Sequence, residues 1–153
     1  MSRIAPSTKR GSALKARAVR AVVTKDAHHA PDAFNVVDSS GWLEYFEGSD
    51  RAGLFAPAIE DTERLIVPVI SIYEVFKRLR ITRMQDDAEQ AAELMQRSLV
   101  VDVDMALVLS AAANGLPLAD SLIYATTIAH GATLWTQDGH FEGLAGVKYF
   151  PKP

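Results

Sequence analysis

The sequence predicts an α/β fold: an α/β/α sandwich around a mainly parallel central sheet of four to five strands. Two observations carry that prediction. Short apolar runs recur at 34–37, 65–69, 99–101, 132–135 and 147–150, and the stretches between them show helical apolar spacing. Buried strands that alternate with helices form a parallel sheet covered on both faces, because each helix must bury its apolar stripe.

Phe34-Asn35-Val36-Val37 is the first strand, ended by Asp38-Ser39-Ser40, whose side chains favour helix N-caps. Trp42, Leu43, Tyr45 and Phe46 follow at helical spacing until Gly48-Ser49 closes the turn. A second helix is expected over 50–60, with Leu54, Phe55 and Ile59 inward. Leu65 to Val69 is the second strand, with Pro68 at its end, where a missing N–H is tolerated. Ser71 is expected to open a helix carrying Ile72, Val75, Phe76 and Leu79, and an Ala-, Glu- and Gln-rich helix follows over 86–97. Leu99 to Val101 is the third strand. Helices over 105–114 and 118–130 stop at Gly115 and Gly131. Ala132 to Trp135 and Val147 to Phe150 complete the strands.

A chain of 153 residues, 48% hydrophobic and 23% charged, suits one domain with one core. With no cysteine it has neither disulfides nor thiolate metal ligands, so any metal binds through oxygen or imidazole. No run approaches the roughly 18 apolar residues that span a bilayer, and residues 1–30 lack a secretory apolar core, so a cytoplasmic protein with no membrane partner is expected. Residues 1–33 hold seven Lys/Arg against Asp26 and Asp32, or +5 of a chain total of −3, which leaves −8 on residues 34–153. They are expected to be a basic, disordered N-terminal extension, with at most a short helix over 14–25, and residues 34–153 to be the folded domain. An acidic domain is unusual for a protein that touches nucleic acid. It becomes sensible where the acidity forms a cation site. The phosphate-binding glycine loops are missing, so a nucleotide cofactor is not indicated.

Four acids fall where α/β sheets bind ligands, at the carboxyl ends of strands. Asp38 follows the first strand, Glu74 lies in the first turn of the helix after the second, Asp120 begins the helix leading to the fourth, and Asp138 follows the fourth. Each alone has a structural explanation. Asp38 can open a helix, Ser71-Ile72-Tyr73-Glu74 fits a capping box, Asp120 suits a helix dipole, and Asp138-Gly139 is a turn signal. Together they repel one another and call for a cation. An oxygen-only site selects Mg²⁺ or Mn²⁺. Of the histidines, only His140 is close in sequence to one of these acids.

With these residues in place, the sequence resembles the PIN-domain nucleases, and most closely the VapC-type toxins of VapBC toxin–antitoxin modules. The matching segments are Val36 to Trp42, Val69 to Val75, Leu116 to Ser121 and Leu134 to Asp138, in order and at the right spacing. The resemblance implies an endoribonuclease that hydrolyses RNA phosphodiester bonds with a metal-activated water, leaving 5′-phosphate and 3′-hydroxyl ends. It implies Asp38, Glu74, Asp120 and Asp138 as metal-binding, catalytic acids and Thr136 as a supporting hydroxyl, with Ser39 or Ser40 in a similar role. It further implies a VapB-type antitoxin partner, which blocks the pocket with a basic segment, and a homodimer. The 33-residue leader departs from the family pattern.

Lys77, Arg78, Arg80 and Arg83 form the densest basic cluster outside the leader and are candidate RNA-binding residues; an ordinary solvated helix face is the competing reading. Three alternatives bear on function. A PIN nuclease of RNA processing has the same acids without a toxin role. An aspartate-based phosphatase requires Asp-x-Asp after the first strand, and position 40 is Ser. A non-catalytic interaction module has no need of four intact acids.

Overall fold

In the computed structural model, residues 33–153 are described. The extension expected over residues 1–33, including its helix at 14–25, lies outside them apart from Ala33. The elements run β1 (Asn35–Val37), α1 (Ser39–Glu47), α2 (Ala52–Glu60), a 3₁₀ turn (Thr62–Arg64), β2 (Leu65–Pro68), α3 (Val69–Thr82), α4 (Gln85–Met95) and β3 (Leu99–Val101). They continue through α5 (Met105–Ala113), α6 (Leu118–Ala129), β4 (Thr133–Thr136), a 3₁₀ turn (Gly139–Phe141) and β5 (Val147–Tyr149).

All four strand pairs are parallel, in the order β3-β2-β1-β4-β5. The sheet therefore grows outward from β1 in one direction and then restarts on the other side of it at β4. Val37 pairs with Trp135, and the ladder extends one step further as the Asp38 N–H donates to the Trp135 carbonyl at 3.0 Å. Side-chain alternation divides the core between the two faces. Val37, Leu65, Val67 and Trp135 pack against α1 to α4, with Trp42, Tyr45, Phe55 and Met95 filling that layer. Val36, Ile66 and Leu134 face the other way, against Ile123 of α6 and Phe141. A smaller cluster of Leu107, Ala111 and Ala125 seats α5 on α6. The aromatic residues of α1 and α2 are thus core residues. Among the described residues, no single helix is long and apolar enough to cross a membrane.

Two sequence expectations are corrected. The helix after β2 begins at Val69, not Ser71, because Pro68 holds an extended backbone (φ −61°, ψ 134°) at the N-cap position and the strand passes into the helix without a linker. Ser71 is accordingly the third helical residue, fully buried, and its hydroxyl has no hydrogen-bond partner among the described residues. The capping box does not form, which leaves the Glu74 carboxylate available elsewhere. The second correction concerns β4, which reaches Thr136, so Asp138 follows the strand by two residues instead of three.

Gly41, on the buried side of α1, shows how closely the layers approach. A Cβ there would lie 2.6 Å from a Phe55 ring carbon and 2.8 Å from Val37 Cγ1. Gly41→Ala should therefore destabilise the domain by about 1–3 kcal/mol through overpacking, which urea unfolding would measure. An unchanged midpoint would contradict this packing.

Candidate active site

Sheets of this type bind ligands outside the carboxyl ends of the strands, at the point where the strand order reverses. Here that point is the β1–β4 junction, and each of the four acids reaches it from a different segment. Asp38 leaves β1 as the N-cap of α1, and its carboxylate accepts from the Ser39 N–H at 2.8 Å. Asp138 leaves β4 as the N-cap of the following 3₁₀ turn and accepts from the His140 N–H at 2.9 Å. Asp120 stands in the first turn of α6. Glu74, in the second turn of α3, accepts a short 2.5 Å hydrogen bond from the Ser39 hydroxyl. All four line one cleft of about 390 Å³.

Thr136 joins the two strand ends. Its hydroxyl donates to Asp38 Oδ2 at 2.9 Å and accepts from the Asp138 N–H at 2.9 Å. Ser40 adds a donor to the same Asp38 oxygen at 3.2 Å. The two serine hydroxyls thus divide between two acids, that of Ser39 serving Glu74 and that of Ser40 serving Asp38.

The carboxylates crowd one another. Burial pushes the Asp38 carboxyl up to about 7; the negative charges of Asp120 and Asp138 add to the push, while hydrogen bonds from Thr136 and the Ser39 amide oppose it. Burial also raises Glu74, helped by the charges of Asp120 and Asp138 and opposed by Ser39. Asp120 is raised by burial and by Asp138, which outweigh the help it receives from His140. The His140 ring Nδ1 lies 2.8 Å from Asp120 Oδ2 and 3.3 Å from Asp138 Oδ1. The Asp120 hydrogen bond and the two negative charges raise its pKa. One ligand atom from each of Asp120, Asp138 and His140 falls within 4.8 Å of the others, a grouping able to hold a metal ion.

The donor set fits a hard divalent cation. Carboxylates from four segments line the cleft, those of Asp120 and Asp138 close enough to share an ion with His140. The buried Asp38 carboxyl, pushed toward neutrality, lacks the positive charge that would stabilise its anion. The imidazole of His140 is a further nitrogen donor at the rim, a contact that the sequence showed only as proximity to Asp138. The basic residues divide: Lys77 and Arg78 line the acidic cleft together with Tyr73, whereas Arg80 and Arg83 do not. Arg80 instead donates to Gln85 at 2.7 Å, and Arg83 caps the end of α3.

Sequence reasoning also missed a polar brace behind the site. Buried Gln137 accepts from Arg51 Nε at 2.6 Å and donates to Glu44 at 2.7 Å, and Arg51 donates onward to the Phe150 carbonyl at 2.9 Å. The brace spans about 100 positions of sequence, so no local pattern signals it.

Comparison with known proteins adds a family match. The family model described as PIN domain matches residues 36–147. No curated protein matches the chain. Among solved structures, the chain is similar to a chain of a toxin–antitoxin complex from Klebsiella pneumoniae, at 19% identity and a TM-score of 0.63, covering 74% of this chain and 95% of that one. It is similar also to a chain of DNA-bound VapBC from Salmonella typhimurium, at 14% identity and a TM-score of 0.59, covering 78% and 98%. A third likeness is to VapBC2 from Rickettsia felis bound to a promoter DNA fragment, at 12% identity and a TM-score of 0.54, covering 77% and 98%. At these identities the likeness is one of fold.

The electrostatics set a pH dependence. Folding raises Asp38 from 3.8 to about 7, so the folded state holds the extra proton across that window and stability falls as pH rises through it. His140 acts in the same direction: its stabilisation is present below its ordinary pKa of 6.5 and is lost as pH rises through its raised value. The melting temperature of the metal-free protein should fall between about pH 5 and pH 8, and Mg²⁺ should raise it more at the higher pH. Asp38→Asn should flatten the profile and stabilise the metal-free protein at about pH 8 by roughly 1–4 kcal/mol. A melting temperature that ignores both pH and Mg²⁺ would contradict a cation site.

Proposed function

The chain belongs to the PIN-domain family, and from that premise we propose that it is a divalent-metal-dependent endoribonuclease, the toxin of a toxin–antitoxin pair. The observation that carries the nuclease reading is the convergence of Asp38, Glu74, Asp120 and Asp138, from four separate segments, on one cleft at the switch point of the sheet.

In this reading the four carboxylates hold Mg²⁺ or Mn²⁺. Bound there, such an ion lowers the pKa of a water molecule and offsets charge on the leaving oxygen during phosphodiester hydrolysis. The remaining work falls to the protein's own side chains. Thr136 and Ser40 donate to Asp38, and Ser39 donates to Glu74, which fixes both carboxylates and keeps their oxygens pointed at the cleft. The His140 N–H and the Thr136 hydroxyl fix Asp138 by its side chain and backbone respectively. Lys77 and Arg78, on the same cleft wall as Glu74, offer positive charge to the phosphates on either side of the scissile bond. Arg80 and Arg83 extend that charge along α3 toward a longer RNA. The products are a 5′-phosphate and a 3′-hydroxyl.

The toxin reading draws support from the solved chains of similar fold, which come from toxin–antitoxin complexes. A VapB-type antitoxin would place a basic segment in the acidic cleft, where it replaces the missing positive charge. A second copy of the chain is the other proposed partner, and Met105, Leu109 and Leu118 offer it exposed apolar surface on α5 and the start of α6. The reading also places the protein in the cytoplasm, with residues 1–33 as an extension to a PIN domain at 34–153.

Asp38→Asn and Asp120→Asn should each fold and lose at least about 100-fold of Mg²⁺-dependent RNA cleavage. Undiminished cleavage by either purified variant would sink the assignment. Expression of the wild-type chain should arrest growth, and Asp120→Asn should not; equal growth of the two cultures would remove the toxin role while leaving the nuclease.

A further inference from the structure

The acidic cleft does not end at Asp138. Ser40 and Asp138 also border a second cavity of about 430 Å³, otherwise lined by Gln137, Gly139, Tyr149 and Lys152. Its size falls within the roughly 300–1,000 Å³ of small-ligand sites. The two cavities adjoin at Ser40 and Asp138, which line both.

Three features show that this cavity is built. Gln137 is buried, and its amide is held on both sides by Arg51 and Glu44, which gives a fixed polar wall. Arg51 also donates to the Phe150 and Pro151 carbonyls, while the Phe150 N–H donates to the Thr136 carbonyl at 2.8 Å. These bonds anchor the C-terminal segment and set Tyr149 and Lys152 beside the site. The Lys152 ammonium stands near Glu44: burial raises the Glu44 pKa, but hydrogen bonds from Gln137 and Ser49, helped by the charges of Arg51 and Lys152, bring it below its ordinary value.

Gly139 supplies the third feature. Its φ is not positive, so its backbone does not require glycine. Apart from its chain neighbours, an added Cβ would meet only the Tyr149 hydroxyl, at 3.9 Å, so packing does not require glycine either. A side chain at this position would occupy space beside Tyr149 that is otherwise open.

We propose that the second cavity is a nucleotide subsite: single-stranded RNA crossing the acids places its next nucleotide beside Tyr149, with Lys152 on the adjoining phosphate. The inference rests on the nuclease reading. Aromatic rings stack on any base, and a neighbouring lysine neutralises one phosphate, a combination that grips a single strand without selecting its sequence. Lys77 and Arg78 hold the strand on one side of the acids, and Tyr149 and Lys152 hold it on the other.

Steady-state cleavage of a single-stranded RNA oligonucleotide by the full chain tests the subsite, together with binding of the same RNA to Asp120→Asn proteins. Tyr149→Ala and Gly139→Leu should each raise KM about 5- to 100-fold with little change in kcat. Tyr149→Phe keeps the ring and should behave as wild type. Lys152→Ala should reduce the slope of log affinity against log salt by about 0.7. Wild-type cleavage with unchanged KM in Gly139→Leu and Tyr149→Ala would overturn the subsite and leave the nuclease reading intact. A loss confined to kcat in Tyr149→Ala, without rescue by Tyr149→Phe, would also overturn it. If Gly139→Leu fails to fold, the salt slope of Lys152→Ala decides, and an unchanged slope counts against the subsite. A wild-type chain that neither binds nor cleaves RNA would overturn both readings.

Discussion

The pairing of β1 with β4 is the constraint on which the site depends. These strands are distant in sequence, yet Val36 and Val37 register against Leu134 and Trp135, and the Asp38 N–H extends the ladder to the Trp135 carbonyl. The Thr136 hydroxyl then bridges the Asp38 carboxylate and the Asp138 backbone. A second tie runs from the Trp135 ring N–H to the Asn35 side chain at 2.8 Å, inside the core. Because both hydrogen-bonded groups are buried, removing one partner costs the full desolvation of the other, roughly 1–3 kcal/mol. The junction is therefore stiff where the acids need fixed positions.

That stiffness brings together groups that would otherwise separate. Asp38 is almost wholly buried, and Glu74, Asp120 and Asp138 share its cleft. Local donors ease the repulsion but do not remove it, since Asp38 is still pushed up to about 7 despite the Thr136 and Ser39 bonds. His140 supplies part of the missing positive charge at the exposed rim, between Asp120 and Asp138. The crowded carboxylates are thus destabilised for a reason that positive charge relieves.

Much of the fold was legible because its signals are local. The order of strands and helices follows from apolar periodicity and from Gly48, Gly115 and Gly131, whose positive φ values mark chain reversals. The four acids were legible as positions after strands and at helix starts. Ser71-x-x-Glu74 misled because a capping box is a sequence pattern that takes effect only where a helix starts at the serine. Pro68 moved that start two residues earlier and buried the serine. Lys77, Arg78, Arg80 and Arg83 read as one cluster, but Arg80 turns to Gln85 and Arg83 lies past the last residue of α3, so only the first two line the cleft.

The sequence by itself determined the α/β class, the element order and where the four acids fall along it, because backbone preference and side-chain period act over a few residues. Tertiary structure alone decided which groups meet: Ser39 with Glu74, His140 with Asp120, and Arg51 with Gln137 across 86 positions. It also decided that β4 lies beside β1, which brings four separate carboxylates to one cleft. Such contacts depend on how whole layers pack, and a hydrogen bond between distant side chains leaves no periodic trace in the chain.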